Sequence, residues 1–193
     1  MVHSKLYKLL EFLCLFLILP FSFLVDFSIW IKVAFAVFGF VYVIWLLLKV
    51  EKLKFKISKT INWQSFRKAT FKRFSIVVLF SLVYMLYFAK EDLFNVVLNK
   101  PGLWLMILII YSSLSVYPQE LIYRTFFHKR YATFFKNNWL YIVINALVFS
   151  LAHIIFWNPL VLLLTFVGGL FFAMTYRQTQ STLLVSIEHA IYG

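Results

Sequence analysis

Long, uninterrupted apolar runs are the feature that most constrains this chain. They recur from one end to the other, and several approach the roughly 20 residues that a helix needs to cross a bilayer. Of the 193 residues, 63% are hydrophobic and only 13% are charged, which is more apolar surface than a water-soluble domain of this length can bury. The runs are continuous rather than alternating, as in helices and not in barrel strands. The sequence therefore predicts an all-α, polytopic transmembrane helix bundle.

Seven runs are candidate membrane spans. They cover residues 9–25, 27–48, 74–89, 103–116 and onward, 139–157, 159–176, and 182–193. The third run is short, and the seventh is cut off at the end of the sequence. With no internal repeat or low-complexity linker, we expect one domain. It divides into N-terminal spans over residues 1–102 and a C-terminal set of helices over residues 103–193.

The basic residues are concentrated between the second and third spans. Residues 49–73 hold nine Lys and Arg residues, and the positive-inside rule places this loop and the N-terminus in the cytoplasm. Short loops and Phe-, Lys- and Ile-rich usage favour a bacterial cytoplasmic membrane. The net charge of +12 therefore indicates topology and not a nucleic-acid partner. The stretch "FRKATFKRF" (residues 66–74) is either an interfacial helix or, the preferred interpretation, a solvated loop and anchor.

The N-terminal segment has two interpretations. A basic start followed by an apolar run fits a signal peptide, but no small-x-small cleavage site follows residue 23, which favours an uncleaved span. The single cysteine, Cys14, lies in this run. It excludes an intramolecular disulfide and a cysteine-based zinc site, and we expect it to be a small packing residue.

Ionisable residues inside spans gather in the C-terminal half. They are Glu120, Arg124, His153, Glu188 and His189, with Asn145 as a buried amide. Such residues are costly in lipid and indicate function by default. There are two structural alternatives to a functional site. Glu120 and Arg124 lie on one helix face and can form a simple ion pair. The histidines can make interhelical hydrogen bonds. Glu188 points about 100° away from its neighbour on a helix, so we expect it outside the site.

One glutamate and two histidines on three spans can converge in a bundle interior. There they can activate water and hold an oxyanion, or Glu120, His153 and His189 can bind a zinc ion. Because no HExxH motif occurs, water activation is preferred over metal binding. No cofactor is predicted, with zinc as the alternative.

Three motifs carry a resemblance to a known family. They are "QELIYR" (residues 119–124), "FSLAH" (149–153) and "HAIYG" (189–193). In this order and spacing the chain resembles the CPBP family of CAAX prenyl endopeptidases and bacteriocin-processing or immunity proteins, also called Abi. The resemblance covers residues 103–193. It implies a helical intramembrane peptidase that acts on a peptide or C-terminal protein segment.

The resemblance implies roles residue by residue. Glu120 matches the second glutamate of the family's EExxxR motif, Arg124 its arginine, His153 the first histidine and His189 the second. The glutamates and first histidine would activate water, with Arg124 orienting the carboxylate, and His189 would stabilise the oxyanion. We therefore expect Glu120 to be the general base, alone or with His153. These residues and Gln119 are the candidate catalytic set.

Two departures from the family pattern leave an alternative open. Gln119 stands at the first glutamate and cannot accept a proton, though it can orient a water. Gly193 stands at the asparagine that would assist the oxyanion. Either the chain is a peptidase, or it is an inactive immunity or scaffold protein of the same fold; a small transporter or channel is a third interpretation. By helix length, His153 lies too deep in the membrane to meet Glu120, unless the helix of residues 126–138 projects into the cytoplasm or Pro118 kinks the fourth span.

Overall fold

The computed structural model describes residues 2–53, 62–88 and 90–193. The described residues form helices and connections without strands, which confirms the all-α prediction. The helices are α1 (residues 5–22), α2 (Ile29–Val50), α3 (Trp63–Phe88), α4 (Asn95–Asn99), α5 (Pro101–Phe134), α6 (Asn138–Phe156), α7 (Pro159–Thr179) and α8 (Thr182–Tyr192).

Five of the described helices are long and apolar enough to cross a membrane, namely α2, α3, α5, α6 and α7. Many large apolar side chains lie on the outside of the bundle, among them Trp30 and Tyr87, as expected for a surface in contact with lipid. The chain is therefore a multi-pass membrane protein, but the count of about seven spans is not confirmed. Helix α1 carries Lys5, Lys8 and Glu11, and α8 has 11 residues, or about 16 Å of helix against a hydrocarbon core of about 30 Å.

The basic segment differs from the expected loop. Residues 63–73 are helical and continuous with the third span, because α3 begins at Trp63. The interpretation of residues 66–74 as a solvated loop is therefore wrong. Lys54, Lys56 and Lys59 of this segment lie outside the described residues, as does position 89 at the end of the third expected span.

Polar side chains at the loop junctions fix where the C-terminal helices begin and end. Asn158 accepts a hydrogen bond from the backbone N–H of Leu160, 2.9 Å away, at the start of α7, and Ser181 caps α8. Between them Gln180 adopts a left-handed conformation (φ 49°) and ends α7. The short turn returns the chain into the bundle and brings α8 against α5.

The length of α5 resolves the question of depth. This helix continues past Glu120 to Phe134, about 21 Å of helix, and α6 then runs back about 22 Å from Asn138 to His153. Because the two helices are antiparallel, Glu120 and His153 lie at the same level of the bundle. Residues 126–134 are helical, as the first of the two alternatives requires, and residues 135–137 are not.

The end of α5 is anchored by a buried ion pair with α1. Arg130 is fully buried, and its Nε donates to Glu11 Oε1 at 2.7 Å while its Nη2 donates to Glu11 Oε2 at 3.0 Å. Tyr42 and Tyr131 also donate to this carboxylate, at 2.7 and 2.6 Å, and Arg130 reaches Glu51 at 3.1 Å. Arg130 is therefore a buried partner of Glu11 and not a solvated charge.

Helices α6 and α7 pack through a close backbone contact. A Cβ atom on Gly169 would lie 3.0 Å from the Cα of Ala146 and 3.3 Å from its carbonyl oxygen. Small residues allow helices in a bilayer to approach in this way. The contact brings Asn145, the neighbour of Ala146, into the buried interior.

We expect Gly169→Ala to destabilise the bundle by about 1–3 kcal/mol, because the added methyl group must separate two packed backbones. Thermal unfolding in detergent micelles measures the effect. The matched control is Gly102→Ala in α5, where a Cβ meets nothing within 4 Å. There the helix propensity of alanine should stabilise by up to about 1 kcal/mol. Equal effects at the two glycines would contradict the close-packing account.

Candidate active site

Glu120 and Arg124 form a buried ion pair within α5. Both side chains have no exposed surface, and Glu120 Oε2 lies 3.0 Å from Arg124 Nε. No N–H bond is aligned along this line, so the contact is an ion pair rather than a hydrogen bond. The segment Tyr117–Glu120 is flanked by two π-helical stretches, Tyr111–Val116 and Leu121–Phe126. Such turns change which side chains face inward and often occur at functional sites.

The guanidinium of Arg124 is held by three further groups. Its Nη1 donates to the Asn145 side-chain oxygen, and the Asn145 amide in turn donates to the Tyr123 carbonyl at 2.6 Å. Its Cζ lies 4.7 Å from the ring centroid of Phe149 and 5.7 Å from that of Phe172. A buried cation needs such partners, because one without them is strongly unfavourable.

Glu120 joins α5 to α8 through His189. The His189 Nδ1 lies 2.8 Å from Glu120 Oε1, and the imidazole stacks on Phe172 at a centroid distance of 4.5 Å. With Nδ1 bonded to the carboxylate, Nε2 is the ring nitrogen left for a substrate. This is the arrangement in which a carboxylate orients a histidine.

His153 lies at the end of α6, and its Nδ1 is 2.9 Å from the Phe149 carbonyl oxygen. A carbonyl oxygen only accepts, so Nδ1 must be the donor. In the neutral imidazole this leaves Nε2 as an unprotonated acceptor. The rings of His153 and His189 contact the same Phe149 ring, at centroid distances of 4.9 and 5.6 Å.

A cavity of about 710 Å³ lies beside these residues. Gln119, His153 and His189 line it, together with Tyr111, Phe23 and apolar side chains from α3, α5, α6 and α7. Glu120 and Arg124 do not line it. The cavity is of the size that holds small ligands or a short peptide segment, and the polar groups that face it are an amide, two imidazoles and hydroxyl groups.

Gln119 has one free hydrogen-bonding group. Its Nε2 donates to Ser115 Oγ at 2.7 Å, while its Oε1 is buried and has no partner among the described residues. A buried carbonyl oxygen without a partner is costly. It lies next to the cavity that Gln119 lines, and a rotation of the Gln119 side chain would expose it as an acceptor for a water or a substrate N–H.

Glu188 lies away from this site, although it neighbours His189. Its Oε1 accepts from Arg73 at 2.9 Å and from the Tyr192 hydroxyl at 2.7 Å, and Arg73 also bonds Thr175. Sequence analysis had counted Arg73 among the charges of a cytoplasmic loop. Arg73 is 115 residues from Glu188, so no local spacing signals this pair, which fixes α8 against α3.

The alternative zinc ligands, Glu120, His153 and His189, are not arranged around one point. In the part of the chain that the structure describes, no three His, Cys, Asp or Glu side chains are grouped to hold a metal ion. The Glu120 carboxylate is engaged by His189 and Arg124. These residues, as they are placed, do not fit a zinc ion.

Comparison with known families adds an independent observation. Residues 101–193, just under half of the chain, match the family described as type II CAAX prenyl endopeptidase Rce1-like. The resemblance to CPBP-family membrane peptidases is confirmed. This is a protease family, which supports peptidase activity in general. No curated protein and no solved structure matches the chain. The CPBP match contains Gln119, Glu120, Arg124, His153 and His189.

We expect Arg124→Met to destabilise the protein by about 3–5 kcal/mol, since it leaves the Glu120 carboxylate buried without a counter-charge. The loss should be read from thermal or denaturant unfolding in micelles.

The matched variant is the double substitution Arg124→Met with Glu120→Gln, which removes both charges. It should cost less than Arg124→Met alone. An additive loss would show that the two charges do not stabilise each other.

Proposed function

We propose that this chain is an intramembrane endopeptidase of the CPBP type that hydrolyses a peptide bond with a water activated in the cavity. One observation carries the proposal. Two histidines line the same cavity with their Nδ1 atoms engaged, His153 by a carbonyl and His189 by a buried carboxylate. Each therefore has only Nε2 available for chemistry.

In this proposal His153 is the general base. The geometry favours it over Glu120, because Glu120 is away from the cavity wall and its two oxygens face His189 and Arg124. Nε2 of neutral His153 is an acceptor on the cavity wall. Gln119 Oε1 offers a second acceptor and would orient the same water. Glu120 then serves as a positioning residue that holds His189.

The proposed reaction proceeds in two steps. The water oxygen attacks the scissile carbonyl carbon while one water proton passes to His153 Nε2, and the carbonyl electron pair moves to oxygen to form an oxyanion. His189 Nε2–H stabilises that charge in the form of the imidazole that carries a proton on both ring nitrogens. The C=O bond then re-forms and the C–N bond breaks. The His153 proton leaves with the amine, giving a carboxylic acid and an amine.

The substrate in this proposal is a peptide or the C-terminal segment of a protein. Apolar side chains from several helices surround the polar groups of the cavity, which suits an extended segment that enters from the membrane. We further propose that the protein resides in a bacterial cytoplasmic membrane with its N-terminus inside. The concentration of positive charge in residues 49–73 supports this orientation.

The test is cleavage of a panel of quenched C-terminal peptides by the protein in proteoliposomes. We expect turnover by the wild type, a decrease in kcat of about 10²–10⁴-fold in His153→Ala, and no loss on addition of a chelator. His3→Ala, an exposed histidine near the N-terminus, is the matched control and should cleave as the wild type does.

Two outcomes contradict parts of the proposal. No turnover from a folded wild-type protein on any peptide favours the inactive immunity or scaffold alternative, to which Gln119 already points. Turnover that Glu120→Gln abolishes while His153→Ala leaves intact returns the role of base to Glu120.

A further inference from the structure

Tyr111 is a cavity-wall residue that the sequence analysis did not single out. It lies on α5 two turns before Gln119, and both residues line the cavity with Ser115. The Tyr111 ring meets His189 edge-on, with 6.0 Å between the ring centroids. Among the hydrogen bonds of the described residues, none involves the Tyr111 hydroxyl. This hydroxyl is therefore an unengaged donor beside a candidate catalytic histidine.

The hydroxyl occupies the space next to Gly193. A Cβ atom on residue 193 would collide with the Tyr111 hydroxyl oxygen, and it would lie 2.8 Å from the ring carbon that bears it. A side chain at position 193 would therefore require the Tyr111 ring to move from its present position. An asparagine at position 193 would displace the ring, whereas Gly193 leaves the hydroxyl beside the cavity.

The polar groups on the cavity wall divide into acceptors and donors. Gln119 Oε1 and His153 Nε2 accept, which suits a water molecule about to lose a proton. Two donors on the cavity wall lie at His189: its own Nε2–H in the doubly protonated imidazole, and the hydroxyl of Tyr111, whose ring contacts the imidazole. A tetrahedral intermediate places a negative charge on the former carbonyl oxygen, and each fixed donor directed at that oxygen lowers the barrier.

We propose that the Tyr111 hydroxyl donates a hydrogen bond to the oxyanion that forms on the scissile carbonyl, beside His189. This assignment rests on the proposed peptidase function and makes Tyr111 a catalytic residue. The tyrosine proton stays on its oxygen throughout, so the step only stabilises charge. Glycine at position 193 leaves room for the hydroxyl in this place, whereas a larger residue would require the Tyr111 ring to shift.

The first test is Tyr111→Phe in the proteoliposome cleavage assay. Removing one oxyanion donor typically lowers kcat by about 10²–10³-fold, and we expect a loss in that range with KM little changed, because the bond forms in the transition state. Tyr117→Phe is the matched control. It removes a hydroxyl six residues away on the same helix, from a residue outside the cavity lining, and should retain wild-type kcat.

The second test uses the collision at position 193. Gly193→Ala should lower kcat in the wild-type background, since the methyl group displaces the Tyr111 hydroxyl. In the Tyr111→Phe background the same substitution should add little further loss, because the donor is already absent. Strongly additive losses would contradict a shared role for the two positions.

The outcomes separate this inference from the proposed function. If the wild type cleaves and Tyr111→Phe keeps its kcat, the donor role is overturned and the peptidase function stands. If Tyr111→Phe raises KM and leaves kcat unchanged, the hydroxyl binds substrate only, and the donor role is again overturned. If the folded wild type cleaves nothing, the proposed function fails, and the assignment of Tyr111 fails with it.

Discussion

The buried guanidinium of Arg124 is the constraint on which the candidate site depends. A cation without exposed surface in an apolar bundle must be neutralised and bonded. Its neighbours are therefore Glu120, Asn145 and the faces of Phe149 and Phe172. The same groups then determine the rest of the site. The Glu120 carboxylate also fixes His189, and the Phe149 carbonyl fixes His153.

Two further ion pairs hold the helices that carry these residues. Arg130 with Glu11 fastens the end of α5 to α1, and Arg73 with Glu188 fastens α8 to α3. Each pair is largely buried and joins residues more than 100 positions apart. Removing one partner from a buried ion pair strongly destabilises the fold, because it leaves the other charge uncompensated. Each pair therefore restricts how its helix can rotate or slide. The helices that carry Glu120 and His189 are thus each held at a second point.

The sequence predicted the features that depend on local spacing. Apolar runs located the helices, and the spacing of Glu120 and Arg124 placed both on one face of α5. The resemblance named His153 and His189 as candidates. The long-range ion pairs leave no such signal in the sequence. Arg130, for example, stands next to Lys129, and composition does not distinguish a buried cation from an exposed one. Tyr111 was not predicted as a site residue, because it is one of 11 tyrosines and belongs to none of the three motifs.

The replacement of an acid by Gln119 has a consequence for charge in the cavity. Glu120 and Arg124 neutralise each other, so a second carboxylate at position 119 would add a partly buried negative charge for which the immediate site holds no second arginine. In the proposed mechanism the base is an imidazole, which becomes positive as it takes the proton from water. The oxyanion that appears in the same step is negative, so the two new charges attract each other across the cavity. An amide at position 119 therefore suits a histidine base.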